Sequence, residues 1–273
     1  MGPVAHGGAK AAGPSVMVLG VAVVALGYAV LAVRAGREVR GWSGWRTASF
    51  LTGCVVVAIA LTPQLTPFPH GDFRGHMLQH LLAGMYGPLG LVLGAPLTLF
   101  LRSVSARTGR RAIHVLRSRP ARLLANPLTA LALNLGGLAA LYFTPLYDVL
   151  AGVPALHLAV HVHFLAAGYL FAWVIAGPDP GPHRPGVPAR LVILGVAIAG
   201  HAVLSQLLYA GAFVQVQVPP MQLRGGADLM YYGGDIAELL LAFALVTSWR
   251  PRPRPRPRRT SDHRGITVGP AAP

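Results

Sequence analysis

The chain alternates between long apolar stretches and short polar segments that contain most of its arginines. A membrane-spanning helix needs about 20 mostly apolar residues, and seven stretches approach that length. We therefore predict an all-α, polytopic membrane helix bundle. The third stretch contains Gly87-Pro88, Gly94 and Pro96 and is predicted to be kinked. The seven predicted spans are residues 15–33, 47–65, 76–101, 127–143, 154–176, 190–213 and 229–249.

Composition supports the membrane interpretation. Of the 273 residues, 53% are hydrophobic and only 11% are charged, whereas a soluble domain has about 25% charged residues. A soluble enzyme is therefore excluded. The single cysteine, Cys54, excludes an internal disulfide and a Cys-x-x-Cys motif. Nucleotide-binding and serine-hydrolase motifs are also missing from the sequence.

The distribution of positive charge predicts the orientation of the bundle. The formal net charge is +15, which by itself would be compatible with nucleic-acid binding. When the seven spans are threaded through a bilayer, however, 20 of the 23 basic residues fall on one side. Basic loops stay in the cytoplasm. We therefore predict an outer N-terminus, a cytoplasmic C-terminus and no nucleic-acid partner.

These assignments divide the chain into three parts. Residues 1–14 form a short extracytoplasmic N-terminus, and residues 15–249 form the seven-helix transmembrane domain. Residues 250–273 form a disordered cytoplasmic tail in which proline and arginine alternate. Such a tail has affinity for the anionic headgroups of the lipid bilayer.

Two pairs of histidines are the first candidates for chemistry. His76 and His80 open the third span, and His157 and His161 open the fifth. Residues four apart share one helix face, so each pair is able to point at one centre. His163 lies about 200° round the helix from His161 and is a weaker candidate. Because imidazole suits copper, zinc or iron, we predict a metal site in the outer half of the membrane.

Further polar residues lie on the same predicted side. His201 lies about 11 residues from the outer end of the sixth span, which is roughly 16 Å at 1.5 Å per residue, and Asp235 and Glu238 share one face of the seventh. Ionisable groups within a bilayer are costly and usually functional, so these three are candidate supporting residues. Met77 is a possible soft ligand for Cu(I), although methionine in a span is more often packing filler. His70 is expected to be a solvated loop residue.

Two other functions remain open at this level. A membrane di-metal oxygenase also uses histidine boxes, but it usually needs more histidines, including adjacent pairs, on the cytoplasmic side. A b-type haem carrier binds the haem iron through one histidine from each of two facing positions. Two histidines four residues apart on one helix would therefore be superfluous.

Two stretches of the sequence resemble signatures of a known protein family. The run from His76 through Gly87-Pro88 to Arg102 is similar to a signature of the multi-pass cytochrome c oxidase assembly factors of the CtaG type, linked to caa-type oxidases. The run from His157 to Trp173, followed by Gly177-Pro-Asp-Pro180, resembles a second signature. In the last span, Gly233-Gly234 and Glu238 fit the pattern, but an expected tryptophan between them is absent.

The resemblance implies a non-enzymatic role in the bacterial plasma membrane. Such a protein would help deliver copper to the catalytic subunit of cytochrome c oxidase and would receive it from a copper donor protein. The implied copper ligands are His76, His80, His157, His161 and, less directly, His163. Transfer needs an exposed coordination position, so a closed structural site is not expected.

Overall fold

The computed structural model describes residues 12–249, except residues 66, 70, 151 and 183. The Pro/Arg tail, residues 1–11 and His70 thus lie outside the described residues. Within the described part every regular element is helical, which confirms the all-α prediction. The elements are α1 (Ala12–Gly36), α2 (Gly44–Ala60), a 3₁₀ turn (Pro63–Leu65), α3 (Phe73–Leu81), a π-helical turn (Leu82–Tyr86), α4 (Gly87–Leu93), α5 (Pro96–Ser103), α6 (Ala106–Leu116), α7 (Arg119–Leu124), α8 (Pro127–Tyr142), α9 (Leu146–Leu150), α10 (Pro154–Ala176), α11 (Val187–Ala210) and α12 (Pro220–Thr247).

Within the described residues, four helices are long and apolar enough to cross a membrane, namely α1, α10, α11 and α12. A fifth span results when α3, the π-helical turn, α4 and α5 are counted as one bent unit. The other two predicted spans correspond to α2 and α8, apolar helices of 17 and 16 residues. At about 1.5 Å per residue these helices fall short of a hydrocarbon core about 30 Å thick. Seven spans therefore remain a prediction.

The predicted kink of the third span lies at Gly94-Ala95. The axis turns by 41° between Phe73–Leu93 and Pro96–Ser103. Ala95 adopts the left-handed conformation with φ of 52°, and Pro96 cannot donate the amide hydrogen bond that would continue the helix. The Tyr28 hydroxyl donates to the Gly94 carbonyl at 2.7 Å, which satisfies a backbone group near the break.

A second irregularity, the π-helical turn, precedes Pro88. Proline lacks the N–H that would bond the carbonyl four residues earlier, and its ring crowds that carbonyl. The chain widens locally over Leu82–Tyr86 instead of bending sharply. On this turn Gly84 packs against Gly168 of α10, and a Cβ atom on Gly168 would collide with the Gly84 carbonyl oxygen. Two glycines thus bring these backbones together, as in many membrane helix pairs.

Loops that are distant in sequence meet at two ends of the bundle. At the arginine-rich end (residues 37–43, 104–126 and 177–186), Arg102 donates to the Gly41 carbonyl at 2.9 Å. At the opposite end, which we call the histidine end (residues 71–72, 143–153 and 211–219), the Gln215 amide donates to the Tyr142 carbonyl at 3.0 Å. This grouping is the one that alternating spans require. The cytoplasmic location of the arginine-rich end remains a prediction.

Apolar packing divides along the same axis. One cluster, including Phe73, Tyr142 and Met230, lies towards the histidine end. A second, including Phe171 and Leu245, lies towards the arginine-rich end. The polar side chains described next lie within and between these clusters.

Candidate functional site

His157 and His161 lie together on the first turns of α10. Pro154 is at the start of this helix, where a backbone N–H would have no partner within the helix, so proline loses no hydrogen bond there. The two rings are neighbours, with centroids 4.5 Å apart. His157 is exposed and His161 partly exposed, and His161 Nδ1 is 2.9 Å from the His157 carbonyl oxygen. This pair therefore offers imidazole groups to a ligand approaching from the histidine end.

His76 lies nearby on α3, which is capped by Asp72. The Asp72 carboxylate accepts from the Arg74 amide at 2.8 Å. The His76 ring packs against Tyr147 and Tyr142, with centroids 5.0 and 6.1 Å away. Its Nε2 atom is buried without a hydrogen-bond partner. We call His76, His157 and His161 the outer histidine group.

The phenol of Tyr147 borders this group as a neutral side chain. Burial, with smaller effects from the Asp148 and Asp72 carboxylates, raises the pKa of Tyr147 to about 12. Tyr147 therefore remains protonated at neutral pH and places no negative charge beside the His76 ring.

His80 lies one turn deeper and is separated from His76. Its ring packs edge-on against Phe164, with centroids 4.4 Å apart, and it also contacts Gly84. Its Nδ1 atom is buried without a hydrogen-bond partner. The spacing of four residues thus aligns the two backbones, but packing directs the two rings to different neighbours.

His163 turns away from the outer histidine group, as its spacing from His161 predicts. Its Nε2 atom is 3.2 Å from the Leu133 carbonyl oxygen of α8, and its ring rests on Gly137. In this conformation His163 joins α10 to α8. Its role as a metal ligand remains a prediction.

Three of the proposed supporting residues lie on α11 and α12. His201 and Glu238 are buried, and His201 Nδ1 is 3.9 Å from Glu238 Oε2. The His201 ring lies on Gly234, where a Cβ atom would collide with it. Both ring nitrogens of His201 and Oε2 of Glu238 have no hydrogen-bond partner. Asp235 is only partly buried. We call His201 and Glu238 the inner pair.

Met77 is fully buried and engaged in packing. The Tyr142 hydroxyl lies 3.8 Å from its sulfur, and the side chain belongs to the apolar cluster at the histidine end. The structure thus gives Met77 a packing environment, and nothing in it directs the sulfur towards the histidines.

A cavity of about 30 Å³ adjoins Glu238. A space of this size holds about one water molecule or one ion. Its walls come from the π-helical turn and from α4, α8, α10 and α12. They are formed by Gly84, Met85, Leu89, Asn134, Gly168, Phe171, Ala172, Ala237, Glu238 and Leu241.

The candidate residues do not form a closed cage. Among the described residues, no three His, Cys, Asp or Glu side chains converge closely enough to hold a metal ion. The histidines instead occupy successive levels: the outer histidine group, then His80, then the inner pair.

Comparison with protein families identifies the chain. The family model described as cytochrome c oxidase caa3 assembly factor matches residues 26–252. The chain belongs to this family. The match confirms the resemblance inferred from the two histidine signatures and supports a role in oxidase assembly.

Related proteins occur in mycobacteria. An uncharacterized protein of Mycobacterium leprae is 30% identical over 265 residues, which cover 90% of this chain and 40% of the relative. Uncharacterized proteins of Mycobacterium bovis and Mycobacterium tuberculosis are each 30% identical over 262 residues, which cover 88% of this chain and 39% of the relative. The chain thus spans about two fifths of the length of these relatives. No solved structure matches it significantly.

Sequence reasoning missed two features of this chain. Asp179 is buried and caps α5, accepting from the Leu97 and Thr98 amides at 2.9 and 2.7 Å. Its position in the Gly-Pro-Asp-Pro motif was the available signal. The second missed feature is the cavity beside Met85. The sequence signal for it was Pro88, since proline distorts the helical turn that precedes it.

Proposed function

We propose that this chain is a non-catalytic assembly factor that handles copper for the catalytic subunit of cytochrome c oxidase in the bacterial plasma membrane. The outer histidine group receives the metal and releases it to the oxidase. The observation that carries the proposal is the adjacent imidazoles of His157 and His161, exposed and partly exposed at the histidine end, together with the buried, unpartnered Nε2 of His76 on α3.

The chemistry of these side chains supports copper. Imidazole nitrogen binds copper well. Buried polar atoms without partners are rare because each costs free energy. A metal bound to His76 Nε2 would recover this cost.

The open arrangement supports transfer rather than storage. His157 is exposed at the histidine end, and its ring is adjacent to that of His161. A metal with few protein ligands keeps a free position at which an incoming ligand can replace an existing one. The oxidase catalytic subunit is the proposed acceptor, and a separate copper donor protein is the proposed source.

The test compares His157→Ala/His161→Ala with His114→Ala. His114 is an exposed histidine on α6 at the arginine-rich end, so its removal controls for nonspecific binding. Full-length protein is purified in detergent and its copper content is measured, while oxidase maturation is followed in cells by the copper content and activity of the enzyme.

We expect the double variant to lose one copper per chain and to impair oxidase maturation, and the control to do neither. Normal maturation with the double variant would refute the proposal. An absorption spectrum of the same sample tests the haem alternative, since a Soret band would identify a haem protein instead.

A further inference from the structure

A groove of about 520 Å³ lies between α11 and α12 on the surface of the bundle. It shares no lining residue with the cavity beside Glu238, and its volume is within the range of about 300–1,000 Å³ that is usual for small-molecule sites. Its walls are polar and aromatic, although both helices are candidate membrane spans. They include Ser205, Gln206, Tyr209, Asp228, Tyr231 and Tyr232. We call this surface the tyrosine groove.

The tyrosine groove lies along the last turns of α11, at the histidine end. Arg224 of α12 lies over the Tyr209 ring, with its guanidinium carbon 5.8 Å from the ring centroid. Asp228 is four residues further along α12 and thus about 6 Å deeper. Since α11 has 24 residues, it is about 36 Å long and reaches just beyond a hydrocarbon core about 30 Å thick. The groove therefore lies where the lipid headgroups meet the hydrocarbon.

Asp228 brings a carboxylate to this boundary without an ion-pair partner. The residue is exposed, and within the described part of the chain no basic side chain forms an ion pair with it. Arg224, one turn away, stacks on Tyr209 instead. Ionised groups at this depth are costly unless an opposite charge neutralises them. A cation that enters the groove from outside the protein would find an available carboxylate.

The tyrosines favour one class of cation. Tyr231 and Tyr232 pack edge-on with ring centroids 5.2 Å apart, and Tyr209 and Tyr232 are 47% and 65% exposed. Aromatic faces attract ammonium groups, and sets of such rings bind ammonium ligands such as choline. Tyrosine is also enriched at the level of the lipid headgroups. The carboxylate and the aromatic rings thus both favour an ammonium group.

Arg224 provides the charge that a phosphate needs. Stacking on Tyr209 uses the face of the guanidinium group, whereas its N–H donors lie in the plane and stay available. Side chains four residues apart on a helix have Cβ atoms about 5–6 Å apart. The two-carbon linker of ethanolamine separates the ammonium and phosphate groups of a phospholipid by a similar distance. Arg224 and Asp228 together therefore match a zwitterionic headgroup.

We propose that the tyrosine groove binds one molecule of phosphatidylethanolamine from the leaflet at the histidine end. Asp228 and the tyrosines bind its ammonium group, and Arg224 binds its phosphate. The acyl chains continue along exposed apolar side chains that follow at helical spacing, Val203 on α11 and Ile236 on α12. The site holds a lipid and no metal, so the inference is independent of the proposed copper function.

The experiment measures lipid binding to the full-length protein by native mass spectrometry. Protein purified in a delipidating detergent is titrated with phosphatidylethanolamine or with phosphatidylglycerol of the same acyl chains, which has the phosphate but no ammonium group. We expect the wild type to bind phosphatidylethanolamine about fivefold more tightly, because ion pairs and cation–π contacts at partly exposed sites are modest.

The variants assign the preference to the groove. Asp228→Asn should abolish the preference, and Tyr232→Leu should reduce it. Arg224→Gln should weaken the binding of both lipids, because both contain the phosphate. The matched control is Asp148→Asn, which changes another exposed acid at the histidine end but outside the groove, and it should retain the wild-type preference.

Several outcomes would overturn the proposal. They are equal binding of the two lipids by the wild type, a preference that persists in Asp228→Asn, and a preference that is lost in Asp148→Asn. If the wild type shows no preference and Asp228→Asn weakens copurification of the oxidase, the groove is a protein-docking surface and the lipid proposal is wrong. If Asp228→Asn fails to fold, as judged by gel filtration, Tyr232→Leu compared with the wild type decides the result.

Discussion

Replacing Gly168 by alanine tests the close packing of α10 against the π-helical turn. A Cβ atom at this position would collide with the carbonyl oxygen of Gly84 and approach Pro88 Cγ to 3.2 Å. The obstructing oxygen belongs to the backbone, so it cannot move aside as a flexible side chain would. Relief requires α10 and the π-helical turn to separate, with loss of contacts on both sides.

The matched control is Gly195→Ala on α11. A Cβ atom at Gly195 would meet nothing within 4 Å. Alanine is favoured over glycine in a helix by about 1 kcal/mol, and both substitutions share this term. Overpacking a close-packed interior costs about 1–3 kcal/mol. We therefore expect Gly168→Ala to be less stable than Gly195→Ala by about 1–3 kcal/mol.

The assay is equilibrium unfolding in mixed micelles, followed by the loss of helical circular dichroism. Equal unfolding free energies for Gly168→Ala and Gly195→Ala would refute the close approach of α10 and the π-helical turn.

Two further predictions concern polar groups at the ends of the bundle. Asp179→Ala removes the acceptor for the Leu97 and Thr98 amides. Loss of this helix cap should lower the free energy of unfolding by about 1–2 kcal/mol. Chemical unfolding measures the difference, with Asp179→Asn as the control. At the histidine end, hydrogen bonding to the Arg74 side chain lowers the pKa of Asp72. Because the folded pKa is below the unfolded value, wild type should be more stable than Asp72→Asn above about pH 4. That advantage should disappear as pH falls through the folded pKa, and an advantage that grows in acid would contradict the assignment.

Much of the fold could be predicted from local sequence because its signals are local. Apolar runs indicate helices, and the proline at Pro96 indicates the break that the structure places at Gly94-Ala95. The direction of His163 also followed from the helical repeat alone, since two residues correspond to about 200°. The span predicted at residues 127–143 matches α8 to within one residue. The end of α2, which lies at Ala60 and not at residue 65, was harder to predict, because helix ends depend on turns and caps as well as on hydropathy.

The candidate site was predicted less completely. Regular spacing identified His157 and His161 as neighbours, and their rings do lie together. The same spacing suggested that His76 and His80 share a centre, yet their rings contact different aromatic groups. Which neighbours a ring meets is decided by helices remote in sequence, and a helical repeat carries no information about them.

The sequence by itself determined the helical class, the segregation of arginine from the apolar runs, the family, and the histidines that carry the candidate chemistry. The helical class and the segregation follow from hydropathy and charge, the histidine pairs follow from their spacing, and the family follows from the resemblance of two histidine signatures. Only the tertiary structure decided that Glu238 lies opposite His201 and that Glu238 and Met85 line one cavity. Those contacts depend on glycines: Gly234 leaves room for the His201 ring, and Gly84 and Gly168 bring α10 against the π-helical turn. Small residues let helices approach closely and so determine which buried side chains become neighbours.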